Sequence, residues 1–195
     1  MKGVTLSGDR VTLSMPDESD VELVTEYCRD PDVQRWTTVP SPYERTDALH
    51  FILDVVPAGW VTGSMATWAI RREPADELRG MIGLNGIAEG AAEIGYWLAA
   101  PSRGRGLMTA AVELVCDHAF APAAQGGLGL RRIEWHAFTG NLPSAAVARG
   151  AGFRFEGTRR LGGVRRGERL DDWSAALLRD DPRAPAPGWP SETFA

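Results

Sequence analysis

The chain has 195 residues, 44% of them hydrophobic and 24% charged, with a formal net charge of −5 at pH 7. That composition is a globular one with enough apolar residues for a single core. Its sign argues against nucleic acid or an anionic membrane as the main partner. The two cysteines, Cys28 and Cys116, lie in apolar patterns without CxxC spacing, so neither a disulfide nor a metal site is expected. No apolar run approaches membrane-spanning length and Met1–Thr5 has no signal-like apolar core, which leads to the expectation of a cytoplasmic protein.

Arg10–Met15 alternates as a first strand, and Pro16-Asp17-Glu18 turns the chain into a helix. Ser19-Asp20-Val21-Glu22 has capping-box spacing, and Val21, Val24, Tyr27 and Cys28 recur on one helical face. Asp30-Pro31 is expected to end or kink this helix, leaving Val33–Pro40 as a loop that carries Trp36. A second capping box at Ser41-Pro42-Tyr43-Glu44 opens a helix with Leu49, Ile52, Leu53 and Val56 as its buried stripe. Pro57-Ala58-Gly59 is expected to stop it. Strands follow at Met65–Arg71 and Gly80–Leu84, joined by a polar turn, and at Glu93–Leu98.

Next comes Pro101-Ser102-Arg103-Gly104-Arg105-Gly106-Leu107-Met108-Thr109, then an apolar helix to about Phe120. Strand, glycine turn and helix in this order form an anion cradle. The helix start leaves N–H groups without partners under a partial positive charge, and the glycines let a phosphate come close. Arg103 and Arg105 add cationic forks. A strand at Arg131–Phe138 places Glu134, His136 and Phe138 on one face. Asn141-Leu142-Pro143-Ser144 then starts a small-residue helix to about Arg149. Strands around Arg154–Arg159 and Asp172–Leu178 close the domain, and the proline-rich stretch 181–195 reads as a tail or a docked strap.

With these elements and motifs the chain resembles the GNAT superfamily of N-acetyltransferases over roughly residues 8–180. Arg103-Gly104-Arg105-Gly106-Leu107 fits that family's acetyl-CoA signature, with Met108 in place of the last small residue. Asn141 followed by Gly152-Phe153 fits a second family pattern. Glu93–Leu98, Asn141-x-x-Ser144 and Glu156–Arg159 look like the RimJ/RimL-type branch, which includes acetyltransferases acting on the N-termini of ribosomal proteins. The resemblance implies an α/β (α+β) fold with a mixed sheet of about six to seven strands and about four helices. The domain would occupy residues 1–180 and the tail 181–195.

The same resemblance implies roles. Acetyl-CoA would lie between strands splaying near Leu98 and Phe138, its pyrophosphate on the N–H groups of Gly104, Gly106, Leu107 and Met108 with Arg103 and Arg105 alongside. The Met108 side chain would narrow that approach. Pantetheine would pair with backbone near Leu98 and Ala100, and an N–H near Leu98 would polarise the thioester carbonyl. Asn141 would hold the pantetheine arm. Many relatives carry a tyrosine seven residues after this Asn as the acid for the leaving thiolate; here Ala148 stands there. Ser144 becomes the candidate acid, and His136 or Glu93 the base.

Trp36 is placed beside the acceptor amine. Asn141 and Ser144 also suit a plain helix cap, and His136 an ordinary strand position. The leading function is N-acetyl transfer from acetyl-CoA to a primary amine, without a metal. The alternatives are a CoA-sensing module that has lost catalysis, suggested by Ala148 and Met108, or an enzyme for a larger acyl-CoA such as succinyl-CoA. Trp189 and Phe194 in the tail are candidates for docking on a second subunit of a homodimer.

Overall fold

The computed structural model describes residue 1 and residues 3–194. Eight strands form one sheet: β1 (Leu6–Ser7), β2 (Thr12–Ser14), β3 (Met65–Arg71), β4 (Gly80–Ala88), β5 (Ala91–Leu98), β6 (Arg132–Phe138), β7 (Arg154–Arg165) and β8 (Glu168–Leu178). The spatial order is β1-β2-β3-β4-β5-β6-β8-β7. Every neighbouring pair is antiparallel except β5 and β6, which run parallel. The six to seven strands expected become eight because the two-residue β1 pairs along β2. A strand that short carries no alternating pattern to read.

Strand alternation sorts the core into two layers. Ala66, Trp68 and Ile70 of β3, with Ile82 and Leu84 of β4, face the long helix α5 (Leu107–Phe120) and α6 (Leu142–Gly150). Ala69 and Met81 on the same strands face the other way, onto α1 (Val21–Cys28) and α3 (Arg45–His50). Trp68, Trp135 and Trp173 are fully buried. Each removes on the order of 2–3 kcal/mol of apolar surface from water. Cys28 and Cys116 are free and buried, and burial pushes both thiols up to about 12, so neither is a ready nucleophile.

Several local readings change. The first helix is capped by Asp17, not Ser19: its carboxylate takes the Ser19 N–H while Asp20 returns to the Asp17 N–H. Asp20 wins that place because its other role is a buried pair with Arg71 of β3 at 2.6 Å. The supposed loop after Pro31 begins as a short helix, α2 (Pro31–Trp36), capped by Asp30, so Trp36 ends a helix. The box at Ser41 moves to Glu44 and Asp47. Nor does Pro57 stop its helix. The ladder widens into a π turn over Phe51–Val55 and resumes as α4 (Val56–Thr62), ending at Gly63 with φ +76°. The wide turn stands just where the proline ring would meet the preceding carbonyls.

The tail docks on its own chain. Trp189 is 5% exposed, its indole N–H donates to the Phe153 carbonyl at 3.1 Å, and its ring lies 5.5 Å from Trp135. Arg149 holds the Thr193 carbonyl and covers the Phe194 ring.

Candidate active site

The parallel pair β5–β6 stays in register only from Ala91↔Arg132 to Ile94↔Trp135. Beyond that point β5 continues along β4 to Leu98, and β6 along β8 to Phe138, so the sheet splits. The Ala99 N–H is spent on Arg79 across the β4 side. By antiparallel alternation the Leu98 peptide groups therefore point into the split. Its carbonyl takes Arg103 Nε at 3.1 Å, which leaves the N–H toward the gap. Ala100 sits beyond the strand in a 3-10 turn, and its carbonyl accepts the Arg103 N–H. A cleft of about 700 Å³ follows the split.

At the end of β5 the chain reaches Gly104 and Gly106, with φ of +72° and +73°. Gly106 is the N-cap of α5 and no side chain caps that end, so the first N–H groups of the 14-residue helix are open. A Cβ at Gly104 would meet nothing, whereas one at Gly106 would meet Arg10 Nη1 at 2.9 Å. Glycine suits both for the positive φ, and at the second the mobile end of Arg10 would have to swing aside for a side chain.

Two expectations are corrected here. The Met108 side chain packs into the core at 6% exposure and does not narrow the approach. Arg103 is not aimed at the turn. It binds Asp32 at 3.0 Å and Asp30 at 3.1 Å, strapping α2 to the end of β5. For Asp30, burial acts upward on its pKa, but the Val33 N–H and Arg103 outweigh it and hold the carboxyl below the ordinary range. Arg105 remains exposed beside the turn.

Ser144 and Tyr96 meet on the α5 side of the split. Trp135 Nε1 donates to Ser144 Oγ at 3.1 Å, Ser144 Oγ donates to the Tyr96 hydroxyl at 3.3 Å, and Tyr96 donates to the Ser144 carbonyl at 3.1 Å. Burial pushes the Tyr96 phenol up, so it stays a donor. Asn141 caps α6, its Oδ1 accepting the Ser144 N–H at 3.3 Å, and it also lines the cleft. Tyr96 was missed by sequence reasoning. Its signal was its place two residues before Leu98 on the strand that borders the split, with Ala148 leaving the usual tyrosine position empty.

On the opposite face, Glu93 and His136 line the cleft with Asp172 and Arg159. Glu93 opens to the cleft, yet burial by its walls raises its pKa above the ordinary 4.5. His136 and Arg159 oppose that rise, and Glu134 and Asp172 add to it. His136 Nε2 is 3.8 Å from Glu134, while its Nδ1 is buried without a partner. Asp172 is spent on Arg159, whose Nε lies 3.0 Å from Oδ1.

Trp36 reaches across this face. Its ring edge would lie 3.6 Å from a Cβ on Gly140, in the turn after β6. The β7–β8 hairpin clasps the same segment. Arg165 donates to the Arg35 carbonyl, and Arg166 Nη2 donates to Gln34 at 2.7 Å and Val39 at 3.3 Å. Arg166 holds φ +50° in the two-residue turn between Arg165 and Glu168. Arg166→Gly should therefore keep the hairpin and the Arg165 arm of the clasp while losing the bonds to Gln34 and Val39. The expected result is a several-fold change in KM for the amine with donor affinity unchanged, read by steady-state kinetics and calorimetry.

The sheet is thus split between its two parallel strands, with an uncapped glycine-turn helix at the mouth of the split. A family model described as an acetyltransferase (GNAT) domain matches residues 10–154. The chain belongs to the GNAT acetyltransferase family. It is 27% identical over 177 residues to the uncharacterized N-acetyltransferase p20 of Bacillus licheniformis, covering 90% of this chain and 96% of the relative. Its fold matches that of RimL, an alpha-N-protein acetyltransferase of a ribosomal protein solved with coenzyme A, at TM-score 0.78 and 22% identity over 90% of this chain and 98% of that one. RimJ of Mycobacterium smegmatis with a CoA disulfide gives 0.77 and 24% over 90% and 86%. Among the described residues no helix is long and apolar enough to cross a membrane.

Proposed function

We propose that this protein transfers an acetyl group from acetyl-CoA to a primary amine by direct attack within a ternary complex. The observation that carries this reading is the split itself, with a hydroxyl pair on one face and an open carboxylate on the other. Acyl-CoA, when bound, supplies an activated thioester. The residues that fit it are the open N–H groups at Gly104, Gly106, Leu107 and Met108, the cation of Arg105, and the peptide edge of β5 through Leu98, with Asn141 beside the arm. The Leu98 N–H, which faces the split, would polarise the thioester carbonyl, a role worth about 3–4 kcal/mol where such a donor has been removed elsewhere.

Glu93 accepts a proton from the incoming ammonium, directly or through one water, with His136 behind it as the second base. On the far face, Ser144 would give its proton to the departing sulfur. Tyr96, which accepts from Ser144 Oγ and donates to the Ser144 carbonyl, holds that hydroxyl in place, and solvent entering the cleft as product leaves restores the proton. Trp36 and the hairpin clasp border the acceptor. The likeness to RimL, an alpha-N-protein acetyltransferase, motivates a protein N-terminus as one acceptor class. The relevant experiment titrates acetyl-CoA and succinyl-CoA calorimetrically and follows thiol release over peptide N-termini, polyamines and arylalkylamines. Acetyl-CoA binding with amine-dependent thiol release is expected. Tight binding without release on any amine would turn the reading to a sensing module, and absence of CoA binding would end it.

A further inference from the structure

A second cavity of about 350 Å³ lies behind the glycine turn, toward β2 and the β3–β4 hairpin. Arg10, Arg72, Arg79 and Arg105 line it, together with Ser102 and Leu107, and Asp9 and Glu73 stand at its wall. Neighbouring arginines are committed, Arg71 to Asp20 and Arg103 to Asp30 and Asp32. Among the described residues these four make no side-chain hydrogen bond or ion pair, and Arg79 Nε is buried without a partner. Ser102 is 3% exposed, and its hydroxyl likewise makes no hydrogen bond among the described residues.

Four cations against two carboxylates, in a protein of net charge −5, is a local excess that costs repulsion until an anion enters. Arginine forks match the oxygens of a phosphate better than those of a halide, because several N–H groups can engage one group at once. Arg10 already reaches the turn, where it approaches Gly106.

We propose that Arg10, Arg72, Arg79, Arg105 and Ser102 form a second anion site that takes a phosphate monoester, beside the helix-end cradle and sharing Arg105 with it. Two sources share that chemistry: the 3′-phosphate of a bound coenzyme A, which would rest on the function proposed above, or a free phosphate compound.

Calorimetry distinguishes them using wild type, Arg72→Gln/Arg79→Gln and the milder Arg72→Gln, each titrated with coenzyme A, 3′-dephospho-coenzyme A and inorganic phosphate. If the donor's phosphate is the ligand, wild type binds coenzyme A about tenfold more tightly than the dephospho form. The double variant then loses that difference while keeping its dephospho affinity. If a free phosphate compound is the ligand, the two coenzymes bind alike and a phosphate isotherm persists with coenzyme bound, then disappears in the double variant. Thermal melts at matched ionic strength should show phosphate raising wild-type Tm more than chloride does. Equal coenzyme affinities with no phosphate isotherm overturn the site, as do variants that match wild type throughout. A wild type that binds phosphate and neither coenzyme keeps this site and removes the acyltransferase reading.

Discussion

Glu93→Gln should lower kcat by about 10²–10⁴-fold, the usual range for loss of a positioned proton acceptor. The amide keeps the shape and cannot take the proton. Because burial raises the Glu93 pKa above 4.5, wild-type rate should fall as pH drops through that raised value, and the variant should lack this acidic limb. Folding gives an independent readout. A carboxyl whose folded pKa is raised binds more protons folded than unfolded, so wild-type stability declines as pH rises through the window above 4.5, and the loss persists beyond it. Glu93→Gln removes that loss, so its Tm at pH 8 should equal or exceed that of wild type. An unchanged kcat in this variant would move the base to His136, and His136→Gln would then have to show the loss of rate.

Ser144→Ala should lower kcat by about 10²-fold or more with little change in CoA affinity, since the Trp135 indole and the Tyr96 phenol remain to hold the pocket. Tyr96→Phe is expected to lower kcat less, because Ser144 keeps its own proton. The double variant is the decisive measurement. Groups that act as one unit lose less together than the sum of their separate losses, whereas independent contacts add. Solvent deuterium should slow wild type and have a smaller effect on Ser144→Ala. Full activity in Ser144→Ala would remove the hydroxyl pair as the acid. A purely additive double variant would leave Tyr96 as a packing residue.

Much of the site was legible because it is local. The strand Glu93–Leu98, the turn Arg103–Gly106 and the cap Asn141-x-x-Ser144 each depend on neighbours a few residues apart, and their geometry follows from φ-permissive glycine and a capping amide. The misplacements have one cause. Asp17 rather than Ser19 caps the first turn because Arg71, far along the chain, holds the box partner Asp20 in place, and the helix runs through Pro57 because its neighbours bury Ile52, Val56 and Trp60. A propensity read within a short window cannot see either partner.

Residue order alone singled out the candidates for chemistry: the glycines of the turn, Glu93 and His136 on two alternating strands, and Ser144 after a helix cap. Only the tertiary structure decided how they are shared out. It spent Arg103 on Asp30 and Asp32, turned Met108 into the core, brought Tyr96 to Ser144 and gathered four uncommitted arginines behind the turn. The physical reason is that a side chain's role depends on which partner satisfies it. For buried and charged groups that partner comes from elsewhere in the chain.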